Sequence, residues 1–216
     1  MLSKLSKFPL FDSVNEINQQ QPSKTQDQLL SMRGQLNSQR IKFLFGSYDV
    51  ALVLQKNNSR VSNLNSNGVM RTCAIVNFSL PVPTWLKETH DKIYSGSTIG
   101  QTIKDNGFDL KKEDAYFGLI ELPEAARAMM KTVETLAAIH IYQLSVINPA
   151  IPESITYCTI TEIHSPLYLT LGDLNVLSAD GIQQNTAISD SVKIHLAELS
   201  NLEEWLSHSK SSSPEC

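Results

Sequence analysis

The fold turns on Ile155–Tyr168, ITYCTITEIHSPLY, a β-branched and aromatic run that has the composition of a strand and carries one carboxylate, Glu162. Side chains alternate across a strand, so Glu162 shares a face with Cys158 and Ile160, while Tyr157, Thr159, Thr161 and Ile163 take the other. A carboxylate on an apolar face has two explanations. One is an edge strand that points Glu162 at water or at a surface lysine. The other is a pocket carboxylate, desolvated, with a raised pKa, placed to accept or donate a proton.

Working outward, Tyr142–Ile147 reads as the partner strand across the loop NPAIPES. Val69–Ser79 is a further strand, with Met70, Thr72, Ala74, Val76 and Phe78 on one parity and Arg71, Cys73, Ile75 and Asn77 on the other. Asp49–Gln55, DVALVLQ, is apolar and β-branched enough for a buried strand, and the Asn- and Ser-rich KNNSRVSNLNSNG after it reads as a long exposed hairpin loop. Tyr116–Glu121 returns as a strand. From Pro123 the spacing of Ala126, Met129, Met130, Val133 and Ala137 changes to 3.6, which predicts a core-packing helix over Pro123–Ile141.

The remaining segments are helical or loose. Thr25 and Gln28 form a capping-box pattern ahead of Leu29, Met32 and Leu36, predicting a first helix to about Phe43 that Gly46 terminates. Pro81 and Pro83 stop a strand, Thr84–Tyr94 reads as a short helix or irregular link, and SGSTIG, Ser95–Gly100, reads as a turn. A last amphipathic helix spans roughly Ser191–Ser207. Residues 1–23, including the Gln-rich NEINQQQPS, suit a flexible arm, residues 24–208 a single domain, and residues 209–216 a disordered tail. Frequent hairpin-like links, with helices at the ends and as one insertion, predict an α+β fold: a single antiparallel sheet with flanking helices.

Composition acts by exclusion. The chain has 216 residues, 41% of them hydrophobic, enough for one buried core. Lys and Arg (18) are scattered among 22 acidic residues, for a net charge of −4, so no basic stripe fits a phosphate backbone and no nucleic-acid partner is expected. Cys73, Cys158 and Cys216 are odd in number and far apart, which suits neither a disulfide framework nor a zinc knuckle. No run of about 18 apolar residues exists, so no membrane span and a cytoplasmic location are expected. His90, His140, His164, His195 and His208 lack HxH or HExxH spacing, SGSTIG lacks a nucleotide-loop pattern, and no serine sits in GxSxG. The expectation is therefore no metal, no cofactor and no covalent nucleophile; any metal site has to be assembled by the fold.

Arg71 and Glu162 then stand out as a guanidinium and a carboxylate on separate strands of one sheet. As structural residues they form a salt bridge or two unrelated surface charges. As functional residues they line a pocket for a small anionic molecule, the arginine holding a ligand carboxylate and the glutamate meeting a hydroxyl or a transferable proton.

In TEIHSPLY (Thr161–Tyr168), STIGQTI (Ser97–Ile103) and DQLLSMRGQLNSQR (Asp27–Arg40, with Leu29, Leu30 and Ser38), taken in that shared order, the chain resembles the chorismate pyruvate-lyases over about residues 26–168. Residues 169–208 are expected to form an additional helical segment. The resemblance implies one antiparallel sheet with a ligand buried beneath helical flaps, and a cofactor-free cleavage of chorismate, or a related cyclohexadiene carboxylate, to 4-hydroxybenzoate and pyruvate. Arg71 and Glu162 would be the catalytic pair: Arg71 would bind the ring carboxylate, Ile99 with Gly100 would add backbone contacts, and Glu162 would face the ether or product hydroxyl. Orientation and electrostatics would supply the rate. The alternative is a non-catalytic domain that binds small aromatic carboxylates on the same architecture, related to ligand-sensing domains of transcription regulators.

Overall fold

The computed structural model describes residues 22–151, 153–178 and 189–209. Six strands form one antiparallel sheet in the order β1-β2-β3-β6-β5-β4, from β1 (Asp49–Lys56), β2 (Ser59–Ser66), β3 (Val69–Phe78), β4 (Asp109–Glu121), β5 (Leu136–Asn148) and β6 (Glu153–His164). The helices are α1 (Gln26–Met32), α2 (Asn37–Phe45), α3 (Lys87–Tyr94), α4 (Ile99–Asp105), α5 (Glu124–Met130), α6 (Leu171–Leu177), α7 (Asp190–Glu198) and α8 (Leu202–Ser209). The antiparallel α+β architecture expected from the sequence is the observed one.

Four local expectations are corrected. The stretch Lys56–Gly68 is not a loop: Asn57 (φ 54°) turns the chain into β2, and the Asn67-Gly68 pair, both at positive φ, turns it into β3. Left-handed backbone at Asn-Gly is the geometry a two-residue hairpin requires. The helix over Pro123–Ile141 stops at Met130, where Lys131 adopts φ 51°, and Leu136–Ile141 belongs to β5. Its alternating apolar run fits either period when short, and pairing with β4 and β6 decides for the strand. The first helix is two, broken around Gly34 (φ 76°). The last is split by a 3₁₀ turn at Leu199–Asn201. The Thr25–Gln28 capping box and the Gly46 C-cap are present as expected. Most of the expected arm and all but the first residue of the expected tail lie outside the described residues, although Ser23 is anchored to Asp173 through its backbone N–H (2.8 Å) and hydroxyl (2.6 Å).

The two faces of the sheet are covered differently. One packs Val61, Cys73, Ile75, Ile139, Ile141 and Ile163 against α5, α7 and α8 in a continuous apolar layer. The other is covered at one end by α1, α2 and α6 over Leu119 and Ala138, and at the other end by α3 and α4 over Val76, Leu144 and Ile160. Between these two apolar clusters the polar side chains of that face open into a cavity.

Bulges correct two parity assignments. On β3, Leu64 pairs with Thr72 and Asn65 with Met70, so Arg71 is an extra residue and Met70 joins Cys73 and Ile75 on the packed face. On β6, Leu144 pairs with Cys158 and Ser145 with Thr156, so Tyr157 is extra; its ring joins the cluster of Phe78 and Cys158, with its hydroxyl 2.9 Å from His90 Nδ1.

Candidate functional site

The cavity has a volume of about 440 Å³. Its floor is the sheet: Ala74 of β3 pairs with Glu162 of β6, which pairs with His140 of β5. Facing pairs on adjacent antiparallel strands project to one side, as do residues two apart, so Glu162, His140 and Tyr142 share the floor, and His164 is buried on the same face next to Glu162 without lining the cavity. Its wall includes Thr98, Ile99 and Gly100, and its roof Leu36, Asn37 and Arg40. Gly100 lets wall and roof approach closely: a Cβ there would lie 2.6 Å from Leu36 Cδ2, so the leucine side chain would have to shift.

Glu162 is 6% exposed, so the pocket explanation of this carboxylate describes its position and the edge-strand one does not. Asn37 Nδ2 donates to its Oε1 at 2.9 Å, Tyr142 adds a second hydrogen bond, and Oε2 lies 3.7 Å from His164 Nε2. Asn37, the first residue of α2, is the hub of the floor and roof. It also approaches Thr72 Oγ1 at 3.2 Å and accepts from the Tyr168 hydroxyl at 2.7 Å. Thr72 Oγ1 in turn sits 3.1 Å from His164 Nδ1. His140 stacks on Phe117 (4.2 Å, 9°), and its Nε2 lies 2.9 Å from Asp114 Oδ1.

Burial sets the protonation states. It pushes the Glu162 carboxyl above its ordinary range against the pull of Lys112 and Arg40. It lowers His140 to about 4 despite the Asp114 hydrogen bond, and holds His164 well below the usual imidazole range. Both rings are therefore neutral at physiological pH. For Asp114, burial acts upward, but the His140 and Lys112 contacts together hold its carboxyl below the usual range. Two cations border this floor. Lys112 Nζ lies 3.0 Å from Asp114 Oδ1 and 4.5 Å from the Tyr142 ring centre. Arg40 donates to the Gln35 carbonyl at 2.8 Å while its buried Nε has no hydrogen-bond partner.

The expected pair does not share this enclosure. Glu162, Ile99 and Gly100 line it; Arg71 does not. The bulge at Arg71 ends its regular alternation, and its guanidinium carbon sits 3.9 Å from the Phe45 ring centre. Arg60, unnoticed in the sequence, borders the cavity but is committed elsewhere: its guanidinium donates to Ser62 Oγ (2.7 Å) and to the carbonyls of Ile93 (2.7 Å), Gly96 (3.2 Å) and Ser97 (2.8 Å), fastening the SGSTIG turn. His164 was findable by its two-residue offset from Glu162. His140 was hidden by the helical reading of its segment, and Asn37, Arg40 and Lys112 carry no local signal.

Among the described residues no helix is long and apolar enough to cross a membrane. No family model matches the chain, and no curated protein matches it. Among solved structures, the crystal structure of PhnF from Mycobacterium smegmatis aligns with a TM-score of 0.43 and 10% identity, covering 72% of this chain and 93% of that one.

Proposed function

We propose that this chain is a small-molecule-binding domain that encloses one compact anionic ligand on the polar face of its sheet. The observation that carries the reading is the enclosure itself: about 440 Å³, apolar walls, Arg40 and Lys112 as cations and Glu162 as a buried acceptor. That volume, with apolar side chains interleaved among polar and cationic ones, suits an anionic ligand of one substituted ring. An aromatic carboxylate such as 4-hydroxybenzoate matches both ends, its carboxylate toward Arg40 and Lys112 and its hydroxyl donating to Glu162, with Ile99 and Gly100 as wall.

Calorimetric titration with 4-hydroxybenzoate and a set of substituted benzoates tests this. Binding at one site is expected, weakened at least about thirtyfold by Arg40→Ala, since the ligand's charge is then left unpaired. Failure of every benzoate to bind at millimolar concentration, or indifference to Arg40→Ala, overturns the reading.

A second reading, a lyase that cleaves chorismate, is favoured by one observation: Glu162 has the raised carboxyl of a group that exchanges a proton. Pyruvate release from chorismate, reduced far more in turnover than in affinity by Glu162→Gln, is its expected signature. Chorismate bound without pyruvate release leaves the binding reading alone.

A further inference from the structure

His140, Glu162 and His164 each offer one ligand atom, all three atoms lie within 4.8 Å of one another, and all three side chains are buried. The sheet explains the grouping. His140 on β5 pairs with Glu162 on β6, and His164 follows two residues on, so three donors from two adjacent strands converge on one face. We propose that this triad binds one divalent transition-metal ion of the Zn(II) class through two imidazole nitrogens and one carboxylate oxygen, with the remaining coordination positions open to the cavity.

Each donor has a hydrogen-bonded outer partner. Asp114 holds His140 Nε2 at 2.9 Å, Thr72 meets His164 Nδ1 at 3.1 Å, and Asn37 holds Glu162 Oε1 at 2.9 Å. Outer contacts of this kind orient metal ligands, and the carboxylate on His140 sets the neutral ring's proton on Nε2, giving the coordinating role to Nδ1. One inner atom has no explanation in protein alone. His164 Nε2 is buried and has no hydrogen-bond partner. The Glu162 oxygen facing it is 3.7 Å away, too far for a hydrogen bond. Zinc ligands at about 2.0–2.2 Å from the ion stand roughly 3.4 Å from each other, so that spacing closes with a small side-chain rotation.

A His–Glu ion pair is the competing account of the same contact. It needs a hydrogen-bonded contact, whereas the two atoms stand 3.7 Å apart and His164 Nε2 has no hydrogen-bond partner. Lys112 and Arg40 oppose a cation here, and the carboxylates of Asp114 and Glu162 offset them. With a divalent ion added the enclosure becomes positive, so an anionic molecule completes the coordination sphere. That last step rests on the cavity ligand proposed above; the metal site does not.

The test uses the full chain without an affinity tag, stripped with chelator and titrated with Zn(II) in a calorimeter and with Co(II) by visible absorption. One equivalent is expected, with a Kd of about 1 μM or tighter and a Co(II) spectrum of a nitrogen-oxygen site. Glu162→Gln and His164→Ala are expected to weaken binding at least about tenfold to a hundredfold, and Thr72→Val, which leaves all three ligands in place and removes the hydroxyl that meets His164 Nδ1 and Asn37 Nδ2, by about tenfold. His195→Gln, altering a ring that meets Asn77 3.1 Å away on the packed side, should bind as the parent does. Circular dichroism and thermal unfolding check that each variant is folded, and Thr72→Val carries the test if His164→Ala is not. No saturable binding of either ion, or one-equivalent binding unchanged by Glu162→Gln and Thr72→Val, overturns the site. Loss of metal binding with benzoate binding intact sinks this inference alone; the reverse sinks only the cavity ligand.

Discussion

Glu162 and Ile163 are consecutive residues of β6 that face opposite sides of one sheet, and the two sides obey different rules. Ile163 enters a continuous apolar layer under α5, α7 and α8. Glu162 joins buried polar groups, Thr72, His140 and His164, on a face whose helices leave a cavity that Glu162 and His140 line. Burying polar groups costs stability unless each is paired, and His164 Nε2 and Arg40 Nε on this side are not. The packed face therefore specifies the fold, and the cavity face spends part of that stability on a site.

The sharpest way to break this contrast is to change the two neighbours separately. Ile163→Ala opens a cavity in a fully buried layer and should lower stability by roughly 2–5 kcal/mol, read by urea unfolding, with benzoate affinity held within about threefold in the folded protein. Glu162→Gln, measured in chelator, should do the opposite. It removes a buried charge, and its new amide faces His164 Nε2, the atom that lacks a partner. Stability equal to the parent's or up to about 1 kcal/mol higher is expected, together with loss of ligand binding. Equal destabilisation by both variants would mean that Glu162 is a packing residue.

This contrast also explains what was legible. The packed face was readable because Cys73, Ile75 and Ile163 alternate with strand period and nothing competes with burial there. The cavity face violates the same rule. β2 was missed because Arg60, Ser62 and Asn63, all buried, made a strand look like a loop, although Asn67-Gly68 marked its turn. His140 was lost because the apolar residues of α5 and of the following strand segment LAAIHIYQ keep a helical spacing across the intervening KTVET. Glu162 was found because it stands alone among apolar residues. Its partners Asn37, Arg40 and Lys112 come from elements distant in sequence, and only the sheet register and the roof bring them together.

The roof offers an intermediate effect. Asp173 on α6 is fully buried and accepts from Ser23 and from the backbone of Thr170 (2.9 Å), with Lys24 Nζ 3.4 Å away. Burial acts to raise its carboxyl, but these contacts together pull it below its ordinary value of 3.8. A depressed carboxyl adds stability that is present above about 3.8 and is lost as pH falls through the lower folded value. In acid, then, α1 and α6 should lose hydrogen-exchange protection before β5 and β6 do. Asp173→Asn should cost about 1–3 kcal/mol at neutral pH and flatten the acid limb of the stability curve. Parallel acid limbs for parent and variant would show that the roof is not held by this charge.

Arg71 gives the smallest expected effect and the most direct check on the division between the faces. The sequence pairs it with Glu162 as a ligand clamp, yet the bulge on β3 takes it out of the alternation that carries Ala74 and Val76 to the cavity. Its guanidinium instead covers Phe45, a cation–π contact worth about 0.5–1 kcal/mol at a partly exposed site. Arg71→Ala should therefore cost stability of that order and leave 4-hydroxybenzoate affinity within about threefold, or roughly 0.7 kcal/mol. Arg71→Lys should behave alike for the ligand and recover part of the stability, since an ammonium over the ring keeps the charge but not the planar stack. Arg40→Ala, at the cavity roof, is the control that must lose about thirtyfold. The opposite ranking, with Arg71 decisive and Arg40 silent, would move the anion-binding end of the site to the bulged end of β3 and leave the cavity floor with Glu162 alone.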